Sequence, residues 1–152
     1  MSHPKAFTID EANGLIPLVE DVFARLDPLQ EQARRHRQKL HILDALWGAE
    51  VTSDGNPDHA EFVEHTRSIA VLMDQILALA RTELVERGIR LPDGFFENGL
   101  VDFPTTYEGR WVFLCWQRGE ERLRYWHETD AGFRGRQEIS AEHEILMGRE
   151  EP

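Results

Sequence analysis

At residue 89 the pattern of apolar residues changes period, and this change constrains the fold more than any other feature of the chain. Before it, Leu15, Leu18, Val22, Leu26 and Leu29, and then Leu40, Leu43 and Trp47, lie three or four residues apart within each run. That spacing puts them on one stripe of a helix. "TIDE" at 8–11 is a capping box, with Thr8 and Glu11 each positioned to satisfy the other's amide. Pro17 lacks an amide and predicts a kink. Asp27-Pro28 offers a second helix start, so one kinked helix or two abutting ones fit this segment. "TSDGNPD" at 52–58 is turn chemistry, and Asn56-Pro57 restarts a helix. That helix carries Phe62, Ile69, Leu72, Met73, Ile76, Leu77, Leu79, Leu84 and Val85 and closes at Gly88. Its apolar face is wide enough to contact two neighbours.

Beyond residue 89 the grammar is that of a sheet. "GLVDF", "RWVFLCWQ" and "RLRYWHE" are rich in aromatic and β-branched residues and are separated by turn signals. The expected architecture is α+β, with a long antiparallel helical hairpin, its first arm kinked near Pro17 and Pro28, packed on a small three-stranded antiparallel sheet. It forms a single domain over 1–152: the hairpin at 8–88, the sheet at 99–128, and a turn and C-terminal tail at 129–152. "PTTYEG" is read as a longer connection, and Gly119-Glu120 as a two-residue hairpin turn.

This hairpin turn sets a register. Leu114 then faces Tyr125 and Val112 faces His127; one face carries Val112, Leu114, Trp116, Leu123, Tyr125 and His127, and the other Trp111, Phe113, Cys115 and Trp126. Pairing Phe103 with Trp111 puts Asp102 beside Val112, on the same face as His127. The two backbones are then about 10 Å apart, within reach of leaning side chains or a shared ligand.

Charge and composition exclude some roles. The formal net charge is −11, from 28 acids against 17 bases. So acidic a chain disfavours nucleic acid and anionic membranes as partners; "RRHRQK" at 34–39 reads as a solvated helix face. No window approaches the roughly 18 apolar residues that span a bilayer, and "MSHPKAFTIDEANG" lacks the apolar core of a signal peptide. A cytoplasmic location is the expectation. Cys115 is the one cysteine, which rules out an intramolecular disulfide and a cysteine-based zinc cluster. In "VFLCW" it reads as a small buried hydrophobe, with a catalytic thiol as the minor alternative.

Several motifs together resemble the bacterial family called domain of unknown function 2203. They are "FTIDEANGLIPLV" at 7–19, "GLVDFP" at 99–104, "GRWVFLCWQRGE" at 109–120 and "YWHETDAGFRGRQ" at 125–137. The matching positions include Glu11, Asn13, Asp102, Gly109, Arg110, Trp116, Gly119, Glu120, Trp126, His127, Gly132, Phe133, Gly135, Arg136 and Gln137. The chain departs from the pattern at Glu138, where the family tends to have proline, and in "PDGFFENG". The resemblance implies a soluble bacterial protein and assigns no chemistry.

His127 with Asp102 is the sharpest constellation, because an imidazole oriented by a carboxylate serves general base catalysis or metal ligation. The same pair also describes a buried histidine satisfied by a structural carboxylate. Glu11, Asn13, Arg110, Trp116, Arg134 and Arg136 are the ligand-binding candidates. Of these, Glu11 and Asn13 supply oxygens, while Arg110, Arg134 and Arg136 can fork an anion. No cofactor is specifically indicated; a divalent metal is compatible, with His127 and Asp102 as its ligands. Glu61 and His65, four apart, read as a surface pair. His36 and His41, five apart, point to different sides of their helix. The leading expectation is a binding or protein-interaction module that forms a homo-oligomer, a dimer, through its helices. The alternative is a small enzyme, a metal-assisted hydrolase centred on His127 and Asp102.

Overall fold

A computed structural model describes residues 4–151; the ends of the 1–152 span fall outside the described residues. The chain is α+β. It divides into two compact units, one taking in the chain up to Phe23 and again from Arg81, the other Ala24–Ala80. A single helix, α1 (Ile9–Trp47), runs through Pro17 and Pro28 without a second start. The reading of two abutting helices is thereby corrected: Asp27 and Pro28 lie in its interior. At its beginning the capping box forms as expected. Thr8 N donates to Glu11 Oε1 at 3.0 Å and Glu11 N to Thr8 Oγ1 at 3.1 Å.

In the Ala24–Ala80 unit, α1 and α2 (His59–Glu83) meet through side chains. His36 Nδ1 lies 2.9 Å from His65 Nδ1, and the Arg37 guanidinium reaches Met73 Sδ at 3.5 Å. Trp47 Nε1 donates to Asp58 Oδ2 at 2.8 Å across the connecting turn. Asn56 Oδ1 accepts from Asp58 N at 2.8 Å, so Asn56-Pro57 acts as the turn before the helix start.

The other unit is built on a sheet of four antiparallel strands in the order β1 (Leu100–Tyr107), β2 (Arg110–Gln117), β3 (Tyr125–Glu128) and β4 (Gln137–Glu138). The three-stranded expectation is corrected by β4, too short to carry an alternation. A short helix α3 (Phe95–Asn98) precedes β1, and α4 (Ala141–Leu146) follows β4. β1 continues through Pro104, where the sequence predicts the start of a connection. Pro104 is tolerated because β1 pairs with β2 on its other side: Pro104 O accepts from Phe7 N at 2.8 Å, so the ring nitrogen also points to the outer edge. The real connection is the two-residue turn Glu108-Gly109, with φ of 49° and 75°, the backbone a tight hairpin requires.

Both sheet registers differ from expectation. His127 pairs with Phe113 rather than Val112, a slip of one, because residues 118–124 form a wider loop than the Gly119-Glu120 turn. Phe103 pairs with Leu114 rather than Trp111, a slip of three, because β1 extends to Tyr107. Each odd slip exchanges faces, and the two cancel for Asp102 and His127. One face therefore carries Val101, Phe103, Val112, Leu114, Trp116 and Trp126, all buried. Phe7 meets Phe103 edge-on at 5.3 Å between ring centres, and Phe23 stacks on Trp116 at 6.3 Å. The start of α1 packs here, and Asn13 Oδ1 accepts from Leu123 N at 2.8 Å. The opposite face carries Asp102, Phe113, Cys115, Tyr125 and His127.

Candidate functional site

On this second face three chemically reactive side chains converge. Asp102 and Cys115 are direct cross-strand partners, and His127 lies one alternate position along β3. All three are buried, and donor atoms of each lie within 4.8 Å of one another. His127 Nε2 stands 3.2 Å from Asp102 Oδ1, and His127 Nδ1 lies 2.7 Å from Glu128 O. A carbonyl only accepts, so Nδ1 carries a hydrogen. A bond between Nε2 and the Asp102 carboxyl group then requires a second proton between them. The cluster in this form holds a proton shared by imidazole and carboxyl group.

Arg90 completes the arrangement from outside the main sheet. Its backbone makes a two-way bridge with Asp102, N to O at 2.8 Å and O to N at 3.0 Å. Its guanidinium donates to Asp102 Oδ2 at 2.9 Å and lies 4.5 Å over the Phe113 ring. Asp102 is thus held through both oxygens. Burial pulls the His127 pKa down; the hydrogen bonds with Asp102 and Glu128 O, aided by the Asp102 charge, outweigh it and leave the group above its ordinary value. Burial, and after it the Asp102 charge, push the Cys115 thiol up to about 12.

The cluster floors a cavity of about 590 Å³, walled by Arg90, Pro92, Asp93 and Leu100 on one side and by Thr129–Arg134 on the other. Of the sequence-predicted site residues, His127, Asp102 and Arg134 line it. Phe133, 46% exposed, stands at its rim. The others are placed elsewhere in the unit. Glu11 is engaged in the capping box and accepts from Lys5 Nζ at 2.8 Å. Asn13 ties α1 to Leu123. Arg110 forks onto Glu128 at 2.9 and 2.6 Å, holding the Glu128 pKa below the usual carboxylate range. Trp116 is fully buried, its Nε1 donating to Glu120 O at 2.9 Å. Arg136 donates to Glu120 Oε1 at 2.7 Å and covers the rings of Tyr125 and Phe133 at 4.1 and 4.9 Å.

The family whose members are described as uncharacterized conserved protein (DUF2203) matches residues 5–139 of the chain. The chain belongs to this family. The four motifs lie within or reach almost to the ends of that span, and the DUF2203 match covers β1, β2, β3 and β4 together with both long helices. No curated protein and no solved structure matches.

Two members of this cluster, Arg90 and Cys115, are not among the site residues expected from the sequence. Arg90 sits in a loop-like stretch and joins through an isolated bridge and a guanidinium bond to Asp102, twelve residues away. Cys115 carried the signature of a buried hydrophobe, and its burial is real. What the apolar run concealed is its neighbour across the strand.

Proposed function

We propose that the protein binds a small organic ligand in the cavity over Asp102, Cys115 and His127. The observation that carries this reading is the cavity itself, about 590 Å³ with a buried polar floor beside an aromatic rim. A concave site of this size with a few convergent polar groups is the usual form of a ligand pocket. Arg134 stands at the loop wall beside Phe133, a pairing suited to a ligand with a carboxylate or phosphate at one end and an apolar body.

The binding reading is favoured over a hydrolase that uses the His127–Asp102 pair as a dyad. A general base needs one ring nitrogen free toward the substrate, and both nitrogens of His127 are engaged within the protein. Titration of the metal-free protein with small aryl carboxylates, followed by NMR, tests the proposal. Shifts are expected for Ala131, Arg134 and the His127 ring, and Arg134→Ala is expected to weaken them. If the shifts map to other surfaces, the pocket is not the binding site.

A second reading rests on a different observation. Ile42, Leu46, Val71 and Leu77 are 45–67% exposed on α1 and α2. Ile42 and Leu46, four apart, share one face of α1, and these exposed apolar residues support an antiparallel hairpin that pairs with a second copy of the chain. Sedimentation equilibrium is expected to give a dimer, and Leu46→Glu a monomer; a wild-type monomer at all concentrations overturns this reading.

A further inference from the structure

We propose that Asp102, Cys115 and His127 bind a divalent transition-metal ion of the zinc class, with the fourth coordination position open to the cavity. The site is the floor of the pocket described above; it rests on that reading only for the ion's access and for the open position.

The argument starts from the ligand set. One thiol, one imidazole and one carboxyl group form a mixed sulfur, nitrogen and oxygen set, which suits zinc or cobalt and not magnesium or calcium. Three protein ligands with a vacant fourth position is the arrangement of zinc sites that act on a bound molecule. Ligand atoms on a tetrahedral ion stand about 3.3–3.8 Å apart. The three groups here lie within 4.8 Å of one another, so small side-chain rotations bring them into range.

The outer contacts are already those of a metal site. Metal-bound histidines commonly donate their other ring nitrogen to a backbone carbonyl, and His127 Nδ1 does so to Glu128 O, leaving Nε2 on the cluster side. Asp102 Oδ2 is held by Arg90, which directs Oδ1 toward Nε2 and the cluster. Two of the three ligands are therefore oriented by second contacts before any ion arrives.

Charge balances as well. Binding replaces the Cys115 S–H proton and the proton between His127 and Asp102, both leaving to solvent through the cavity. A doubly charged ion enters as two protons depart, so the buried cluster gains no net charge. The nearby Arg90 side chain is 46% exposed, and water screens its charge.

Cobalt(II) added to the reduced, tag-free full chain gives the decisive measurement. A thiolate-to-cobalt charge-transfer band can arise only from Cys115, because the chain has no other cysteine. The expected result is one cobalt per chain with that band and the intense visible absorption of four-coordinate cobalt, both removed by zinc. Calorimetry in buffers of different ionisation enthalpy is expected to show about two protons released per ion. Cys115→Ala is expected to weaken binding by more than the roughly 10–100-fold that follows loss of an outer contact. Substoichiometric cobalt, or binding without the charge-transfer band, overturns the proposal. The wild-type readout needs no variant to fold. It is also independent of the carboxylate titration, which uses metal-free protein, so either proposal can fail while the other stands.

Discussion

His127 Nε2 lies 3.2 Å from Asp102 Oδ1, and both side chains are almost entirely removed from solvent, at 2% and 1% exposure. Two titratable groups in such a place are stable only as a set. The imidazole satisfies one carboxyl oxygen, Arg90 satisfies the other, and the Glu128 carbonyl fixes the ring. The same relationship stabilises the sheet face and poises three ligand atoms beneath the cavity.

Removing the carboxyl group leaves its partners without compensation. Asp102→Ala is expected to destabilise the protein by roughly 3 kcal/mol, the lower end for breaking a buried charged pair, because His127 can shed its proton. Asp102→Asn keeps one acceptor and is expected to cost about 1–2 kcal/mol. Chemical denaturation of the metal-free protein measures both. A cost below about 1 kcal/mol for the alanine variant would contradict a cohesive buried set.

Asn13 ties the first turns of α1 to the loop after β2, accepting from Leu123 N at 2.8 Å. Asn13→Ala leaves that amide without its acceptor, at an expected cost of about 1–2 kcal/mol. The specific signature is local: hydrogen exchange at the Leu123 amide should accelerate more than at β1 or β2 amides. Uniform acceleration would mean only a global loss of stability.

The start of α1 has a pH-dependent component. The hydrogen bond from Lys5, followed by that from Thr8 N, holds the Glu11 pKa below its ordinary value. Its folded pKa lies under the unfolded value of about 4.3. The contribution is therefore complete above that pH and is lost as pH falls through the folded value. Both side chains are close to half exposed, so no more than about 1 kcal/mol is expected. Glu11→Gln keeps an acceptor for Thr8 N but cannot titrate; its stability should be flatter over this acid window than that of the wild type. Parallel curves would remove Glu11 from the account.

Two glycines share a φ of 75° and differ in surroundings. A Cβ at Gly109 meets nothing within 4 Å, whereas one at Gly148 would stand 2.7 Å from the Phe7 carbonyl carbon and 2.9 Å from Thr8 N. Gly109→Ala should cost only the left-handed backbone penalty of roughly 1–2 kcal/mol. Gly148→Ala adds a clash with backbone that cannot rotate away, and should cost about 3 kcal/mol or more. It should also expose the Gly148 amide, which donates to Thr106 O at 2.9 Å. Equal costs in thermal denaturation would show that the C-terminal segment moves aside freely.

The sequence by itself determined what depends on local periodicity and local chemistry. The helical stripes, the Thr8–Glu11 capping box, the Asn56-Pro57 turn and the change to strands after residue 89 all arise from neighbours a few residues apart. The family was legible in the same way, from contiguous motifs. Strand register was not, because it depends on how loops close and on what each face packs against. Pro104 looked like an end of strand because a missing amide matters only when it faces a partner, and that is decided by sheet order. The placing of Asp102 and His127 on one face survived two register slips because the two had the same parity. Cys115 and Arg90 joined the site through contacts that no local pattern encodes: one directly across a strand pair, the other through an isolated bridge and a guanidinium bond to Asp102. The tertiary structure alone decided that three residues from three strands share one buried floor beneath a cavity, with the exposed Arg90 guanidinium at its wall.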